Sequence, residues 1–197
     1  MNLERLDLAS CGIRRLASNF GANAPNLRLL NLNHNALREI QPLEGIKGMS
    51  QLYLVSNRLK DFRQVIEVVC KIGKKLRVLD CRNNPFNAGY YLTTKDTGTQ
   101  LAAVAGEAAT LLASEGYNNE TFMMPDANIE KDEAYLKQID FGTLIRRRVY
   151  ELMLSQKCER LAKLDGMALN KDRIENKDKV WKRLLALGIV QPSEQEL

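Results

Sequence analysis

The chain has 197 residues, 45% hydrophobic and 27% charged, which suits one soluble domain with at most an appendage. Its formal net charge is +5. Its four cysteines form no C-x-x-C pair and only one histidine accompanies them, so neither a zinc site nor a disulfide framework is expected. No apolar run nears the roughly 18 residues of a membrane span, and Met1-Asn2-Leu3-Glu4-Arg5 is charged at once, unlike a secretory signal, so a cytoplasmic or nuclear protein is expected.

In chain order, one pattern recurs four times. Leu3-x-x-Leu6-x-Leu8-x-x-Cys11-x-Ile13 is followed by Leu27-x-x-Leu30-x-Leu32-x-x-Asn35-x-Leu37. Then come Met49-x-x-Leu52-x-Leu54-x-x-Asn57-x-Leu59 and Leu76-x-x-Leu79-x-Cys81-x-x-Asn84-x-Phe86. The spacings of 22 to 27 residues and the L-x-x-L-x-L-x-x-N-x-L order are those of leucine-rich repeats. Each L-x-L is a short strand whose leucines point inward. Asn35, Asn57 and Asn84 are placed to hydrogen-bond backbone groups inside the turn, where an unpaired polar group is costly. Cys11 and Cys81 occupy an asparagine and a leucine position, so both read as packing residues. The predicted fold is α/β: a leucine-rich-repeat solenoid with short parallel strands on the concave face, helices on the convex side and a helical C-terminal cap.

Between strands, Phe62 to Ile72 carries apolar residues at Phe62, Val65, Ile66, Val69 and Ile72, a helical spacing, with Asp61 as N-cap and Gly73 as stop. A shorter connector lies near Pro42-Leu43. The four repeats fill residues 1–86. Residues 87–140 read as an insertion, with an alanine-rich helix over Gln100 to Ala113 and an acidic, mobile stretch over Glu115 to Glu133. Residues 141–169 read as the C-terminal cap. In it, Phe141 to Cys158 is a helix with Leu144, Ile145, Val149, Leu152 and Met153 on one face, and Leu161-x-x-Leu164-Asp165-Gly166 is a last strand. Residues 170–197 hold a helix with Val180, Trp181, Leu184 and Leu187 on one face, stopped by Gly188, with Trp181 packing onto the cap. Leu3 already belongs to a repeat, so the first coil lacks a cover. A longer protein or a partner, a second copy included, is expected to supply one.

The four repeats followed by Asn83-Asn84-Pro85-Phe86, then Arg148-Val149-Tyr150 and Leu161-x-x-Leu164-Asp165-Gly166, resemble the intracellular leucine-rich-repeat class with a C-terminal cap motif. That class includes regulators of protein phosphatase 1, a spliceosomal A-prime protein, an axonemal dynein light chain and centriolin. More narrowly, Tyr135 to Asp140, Arg147 to Glu151, Leu164 to Met167 and Asp178 to Leu184 resemble the C-terminal repeat domain of fungal spindle-pole-body scaffolds. These are centriolin-like proteins of the septation-initiation or mitotic-exit network. The resemblance implies a docking domain at the spindle pole body that assembles GTPase and kinase signalling components, with pole anchors among its partners.

No catalytic or cofactor motif is found: G-x-x-x-x-G-K-[ST], G-x-G-x-x-G and G-x-S-x-G are all absent from the sequence. His34 reads as a surface or partner contact near the concave rim. The chain is expected to be no enzyme and to need no cofactor or metal. Reading across the coils, Arg5, Leu29, Gln51, Val78 and Lys163 form one concave column. Asp7, Asn31, Tyr53, Asp80 and Asp165 form the next, and Ala9, Asn33, Val55, Arg82 and Met167 a third. The expected partner-binding patch is Leu29, Tyr53, Val55 and Val78 with Asn31, ringed by Arg5, Asp7, Asp80 and Arg82, an apolar centre with a charged rim. Other proteins are the expected partners, and a membrane is not. The basic runs Arg146-Arg147-Arg148 and Lys177 to Arg183 keep an RNA-associated reading open, and the fold class alone a phosphatase-regulating one. The acidic insertion and few exposed aromatics weigh against RNA.

Overall fold

The computed structural model describes residues 2–92 and 122–169, together with 182, 183, 186 and 187. The expected helix over Gln100 to Ala113 and the helix face with Val180, Trp181 and Leu184 lie outside the described residues. Six strands form one sheet in chain order: β1 (Arg5–Asp7), β2 (Leu29–Asn31), β3 (Gln51–Tyr53), β4 (Val78–Asp80), β5 (Lys163–Leu164) and β6 (Met167–Ala168). The first five run parallel. The register pairs Arg5 with Leu29, Leu29 with Gln51, Gln51 with Val78 and Val78 with Lys163, the column that the spacing predicts. β6 turns back antiparallel on β5. The cause is the turn Asp165-Gly166, where both residues adopt left-handed backbone (φ 51° and 80°) as a two-residue hairpin requires. The last strand is thus a hairpin and not a single strand, and Met167 leaves the third column for β6.

Inside the sheet, the inward leucines Leu30, Leu32, Leu52, Leu54, Leu79 and Leu164 are buried, and Cys81 fills a leucine place with no exposure. Cys11 differs. It sits beside the edge strand β1, is exposed, and donates to the Ala9 carbonyl instead of packing. The asparagines form a continuous ladder. Asn57 Oδ1 accepts from Leu37 N–H at 3.1 Å, while its Nδ2 donates to the carbonyls of Leu32 (2.9 Å) and Leu54 (3.0 Å). Asn35 and Asn84 make the same bridge one coil earlier and one later. Each asparagine therefore joins its own coil to the preceding one. Replacing Asn57 by alanine strands a buried N–H and buried carbonyls and is expected to cost about 2–4 kcal/mol of unfolding free energy. Urea denaturation measures it, and a loss below about 1 kcal/mol would show that water replaces the ladder.

Every repeat also turns at one place through a left-handed residue: Ser10, His34, Ser56 and Asn83 have φ between 54° and 59°. None is glycine, so the recurring hydrogen-bonded turn holds a conformation that L-residues resist.

On the other side, a four-residue helix α1 (Phe20–Asn23) and a 3-10 turn (Gln41–Leu43) connect the early strands. The longer α2 (Phe62–Ile72) follows β3 and buries Val65, Ile66, Val68, Val69 and Ile72. Asp61 caps it, accepting from Gln64 N–H at 3.1 Å. Gly73 caps its C-terminus as expected, but without left-handed backbone. Its φ is −73°, and the chain continues as a 3-10 turn, Gly73–Lys75. Glycine is needed there for space, since a Cβ would stand 2.5 Å from Cys158 Sγ.

Beyond β4, a 3-10 turn (Pro85–Asn87) is boxed by Asn84 and Asn87, and Asn87 donates to the Cys81 carbonyl at 2.8 Å. The chain packs on through buried Tyr90 and Tyr91. The packed part of the fourth repeat thus passes residue 86. The end of the acidic stretch, 129–133, lies in α3 (Ile129–Leu136). Asn128 caps it, accepting from Lys131 N–H at 2.9 Å, and Glu130 and Asp132 stand in the first turn, where the helix dipole favours anions.

α4 (Phe141–Lys157) spans the predicted helix, capped by Asp140 accepting from Thr143 N–H at 2.9 Å. Its buried face is not the predicted apolar one. Thr143, Arg147, Tyr150, Glu151, Leu154 and Ser155 are buried with Leu152, whereas Leu144, Ile145, Val149 and Met153 are half-buried. Tyr150 enters an aromatic cluster with Phe62, Phe86 and Tyr90, ring centroids 5.8 to 6.1 Å apart. Polar α4 residues bury because α3 and Glu151 neutralise the arginine between them.

Candidate partner-binding surface

The candidate surface is the sheet face expected to be concave, and two of its predicted columns keep their register. Arg5 and Asp7 are exposed on β1, and Leu29, Gln51, Tyr53 and Val78 are half-buried on the next three strands. Leu29 and Val78 share one column with Gln51 between them, and Tyr53 stands two residues further along β3 in the next column. Tyr53 hydroxyl donates to Gln51 Oε1 at 3.0 Å, which holds the ring across its own strand. Burial first, then the charges of Asp80 and Asp126, raise the Tyr53 phenol above its ordinary range.

Other members of the patch are tied into the protein. Asn31 is fully buried, donating to Asp7 Oδ2 at 3.0 Å and accepting from Asn33 N–H. Asp80 and Arg82 pair with each other through Arg82 Nη2 and Asp80 Oδ2 at 2.6 Å and through Arg82 Nε, both side chains under 10% exposed. They are a buried ion pair and not the charged rim expected. Val55 has no exposure and leaves the apolar centre. Asp165 is also fully buried. It points inward from the hairpin turn, its Oδ1 accepting from Cys81 N–H at 2.6 Å.

The reason lies in residues far along the chain. Phe122 to Ala127 crosses the third column from the second repeat to the hairpin. Asn33 Nδ2 donates to the Phe122 carbonyl at 2.9 Å, and Arg82 Nη1 donates to the Pro125 carbonyl at 3.0 Å. Asp126 pairs with Lys163, and Ala127 N–H donates to the Gly166 carbonyl at 3.0 Å. The Phe122 ring lies 6.3 Å from the His34 ring. This strap covers the side of the sheet where Val55 and Arg82 lie and reaches Lys163, beside Val78, through Asp126, while Leu29, Tyr53 and Val78 stay half-buried. Sequence reasoning missed it. The available signal was the apolar run Phe122-Met123-Met124-Pro125 inside an otherwise acidic stretch. It has no period to identify it as a strand or helix.

The basic run on α4 is not a free patch either. Arg147 is buried between Asp132 and Glu151, Arg148 pairs with Glu151 at 2.6 Å, and Arg146 donates to Thr143. Of the second basic run, Lys182 and Arg183 are exposed, Arg183 lying 5.9 Å over the Phe141 ring, and 177–181 lie outside the described residues. Among the described residues no group of three or more His, Cys, Asp or Glu is placed to hold a metal ion, and no helix is long and apolar enough to cross a membrane.

Known proteins share this pattern. Residues 1–59 match the leucine rich repeat family model. Over 166 residues, 84% of this chain, the sequence is 28% identical to the septation initiation network scaffold protein cdc11 of Schizosaccharomyces pombe. The matched stretch is 16% of that scaffold, so the chain spans about one sixth of the relative's length. The chain thus carries leucine-rich repeats on a parallel sheet and is similar, over most of its length, to a fungal scaffold of the septation initiation network.

Proposed function

We propose that this chain is a non-enzymatic protein-interaction module, the docking domain of a spindle-pole-body scaffold that organises GTPase and kinase signalling for septation or mitotic exit. The observation that carries the binding face is the cluster of Leu29 and Val78, in one column with Gln51, and Tyr53 in the adjacent column. All three are half-buried, with Arg5 and Asp7 exposed on the neighbouring β1. A rigid aromatic and two aliphatic side chains on a stiff sheet lose little entropy when a partner covers them. Residues 141–169 act in this reading as the cap that ends the solenoid. The scaffold role follows the septation-network relative. An RNA-associated role has less support, because Arg147 and Arg148 are occupied by carboxylates. The phosphatase-regulating alternative rests on fold class alone.

Tyr53→Asp/Val78→Asp tests the concave face. Capture of septation-network proteins from cell extract is expected to fall at least about tenfold, as for the loss of two interface anchors. Circular dichroism should show the fold intact. Undiminished capture by a folded double variant would remove the concave face from the reading.

A further inference from the structure

A second surface lies past the asparagine turns. Ala36 N–H donates to the Ile13 carbonyl and Arg58 N–H to the Leu37 carbonyl, both at 2.8 Å, so segments 12–15, 36–39 and 58–61 stack as rungs. This register places Arg14, Arg38 and Lys60 in one row. Gly12, Ala36 and Arg58 form the adjacent row. A Cβ on Gly12 would meet nothing within 4 Å, and Ala36 offers only a methyl group. The small residues leave an open hollow of about 640 Å³ lined by Arg14, Arg15, Ala36, Arg38 and Arg58.

All four arginines are exposed, and no carboxylate lines the hollow. Among the described residues none of the four is in an ion pair; Glu39, beside Arg38 in sequence, is exposed but not part of the lining. Four like charges around one space repel, and an anion relieves that repulsion. The cations at the wall are all guanidiniums. Their planar forks match phosphate oxygens two at a time, which a lysine ammonium does not. No aromatic lines the hollow, so it offers nucleic-acid bases no stacking platform.

We propose that this hollow is a phosphate-recognition site whose occupant is a phosphoserine or phosphothreonine in a partner protein. It is separate from the concave face, so either reading can fail without the other.

The test measures binding of the whole chain to arrayed phosphoserine and phosphothreonine peptides and to the same peptides without phosphate, by fluorescence anisotropy at physiological salt. Phosphorylated members are expected to bind at least about tenfold more tightly, as new charge-assisted hydrogen bonds allow. Arg14→Gln/Arg38→Gln/Arg58→Gln should abolish that preference. Arg38→Lys should weaken it while keeping the charge. Lys75→Gln/Arg77→Gln/Arg160→Gln removes the same charge from a different basic groove and should leave the preference unchanged. Equal binding with and without phosphate overturns the proposal, and so do equal losses from both triple variants. Binding of a uridine oligonucleotide that is lost with the first triple variant, without phosphopeptide binding, overturns it in favour of nucleic acid.

Discussion

Arg147→Ala is expected to lower the unfolding free energy by about 3–5 kcal/mol, the usual cost of removing one partner from a buried ion pair. Arg147 is 1% exposed. Its Nη1 donates to Asp132 Oδ1 (2.9 Å) and to the Tyr90 carbonyl (2.8 Å), its Nη2 to Asp132 Oδ2 (2.6 Å), and its Nε to Glu151 Oε1 (2.8 Å). The guanidinium also lies 4.3 Å from the centre of the Tyr91 ring. One side chain therefore joins the end of the fourth repeat, α3 and α4. Alanine leaves Asp132 without its partner and Glu151 with Arg148 alone, and it opens a void where the stem packed. Natural domains hold only about 5–15 kcal/mol in all, so this loss is a large share. Urea denaturation checks it, with Asp132→Asn as comparator. The comparator should lose less, because a neutral amide still accepts one of the two hydrogen bonds. A loss for Arg147→Ala no larger than for Asp132→Asn would mean that the Tyr90 and Glu151 contacts contribute nothing.

Asp165→Asn is expected to stabilise the protein at alkaline pH and to remove a pH dependence. Asp165 is fully buried, and burial is the main force that pushes its carboxyl up from 3.8 to about 7, with repulsion from Asp80 second. The Cys81 N–H and Arg82 oppose that rise. The Tyr91 and Tyr150 hydroxyls are buried near it without reaching hydrogen-bond geometry. The folded state thus keeps a proton that the unfolded chain releases near pH 4. Between about pH 4 and pH 7 the folded state binds more protons, so stability falls as pH rises and the penalty is complete above pH 7. Asparagine accepts the same N–H without a charge. From pH 5 to pH 8 the parent should lose about 1–3 kcal/mol more than Asp165→Asn. Parallel pH profiles of the two proteins would sink the idea that Asp165 is the titrating group.

Much of this protein was readable from local pattern. The repeat leucines and asparagines have a fixed period, and each does its work within its own coil or the next. Strand register, the inward leucines and the row Arg5, Leu29, Gln51, Val78 and Lys163 follow from that period alone. The α2 helix is equally legible, because its apolar stripe and Asp61 cap are local.

What only the tertiary structure decided involves residues far apart in the chain. The strap over Asn33 and Arg82 begins some 89 residues after Asn33, and it turns Val55 and Arg82 from surface into interior. The buried face of α4 was misread because its charges count as solvent-facing in any periodicity, yet Asp132 and Glu151 neutralise Arg147 and let it sink. Asp165 looked like one more concave residue, until a left-handed turn pointed it inward. Periodicity records which side chains a coil buries against its neighbours. It carries no record of which distant segment returns to lie on the open face, because that choice is made by pairings between residues with no fixed spacing. The repeat therefore determined the sheet, and the fold decided which part of that sheet the strap covers.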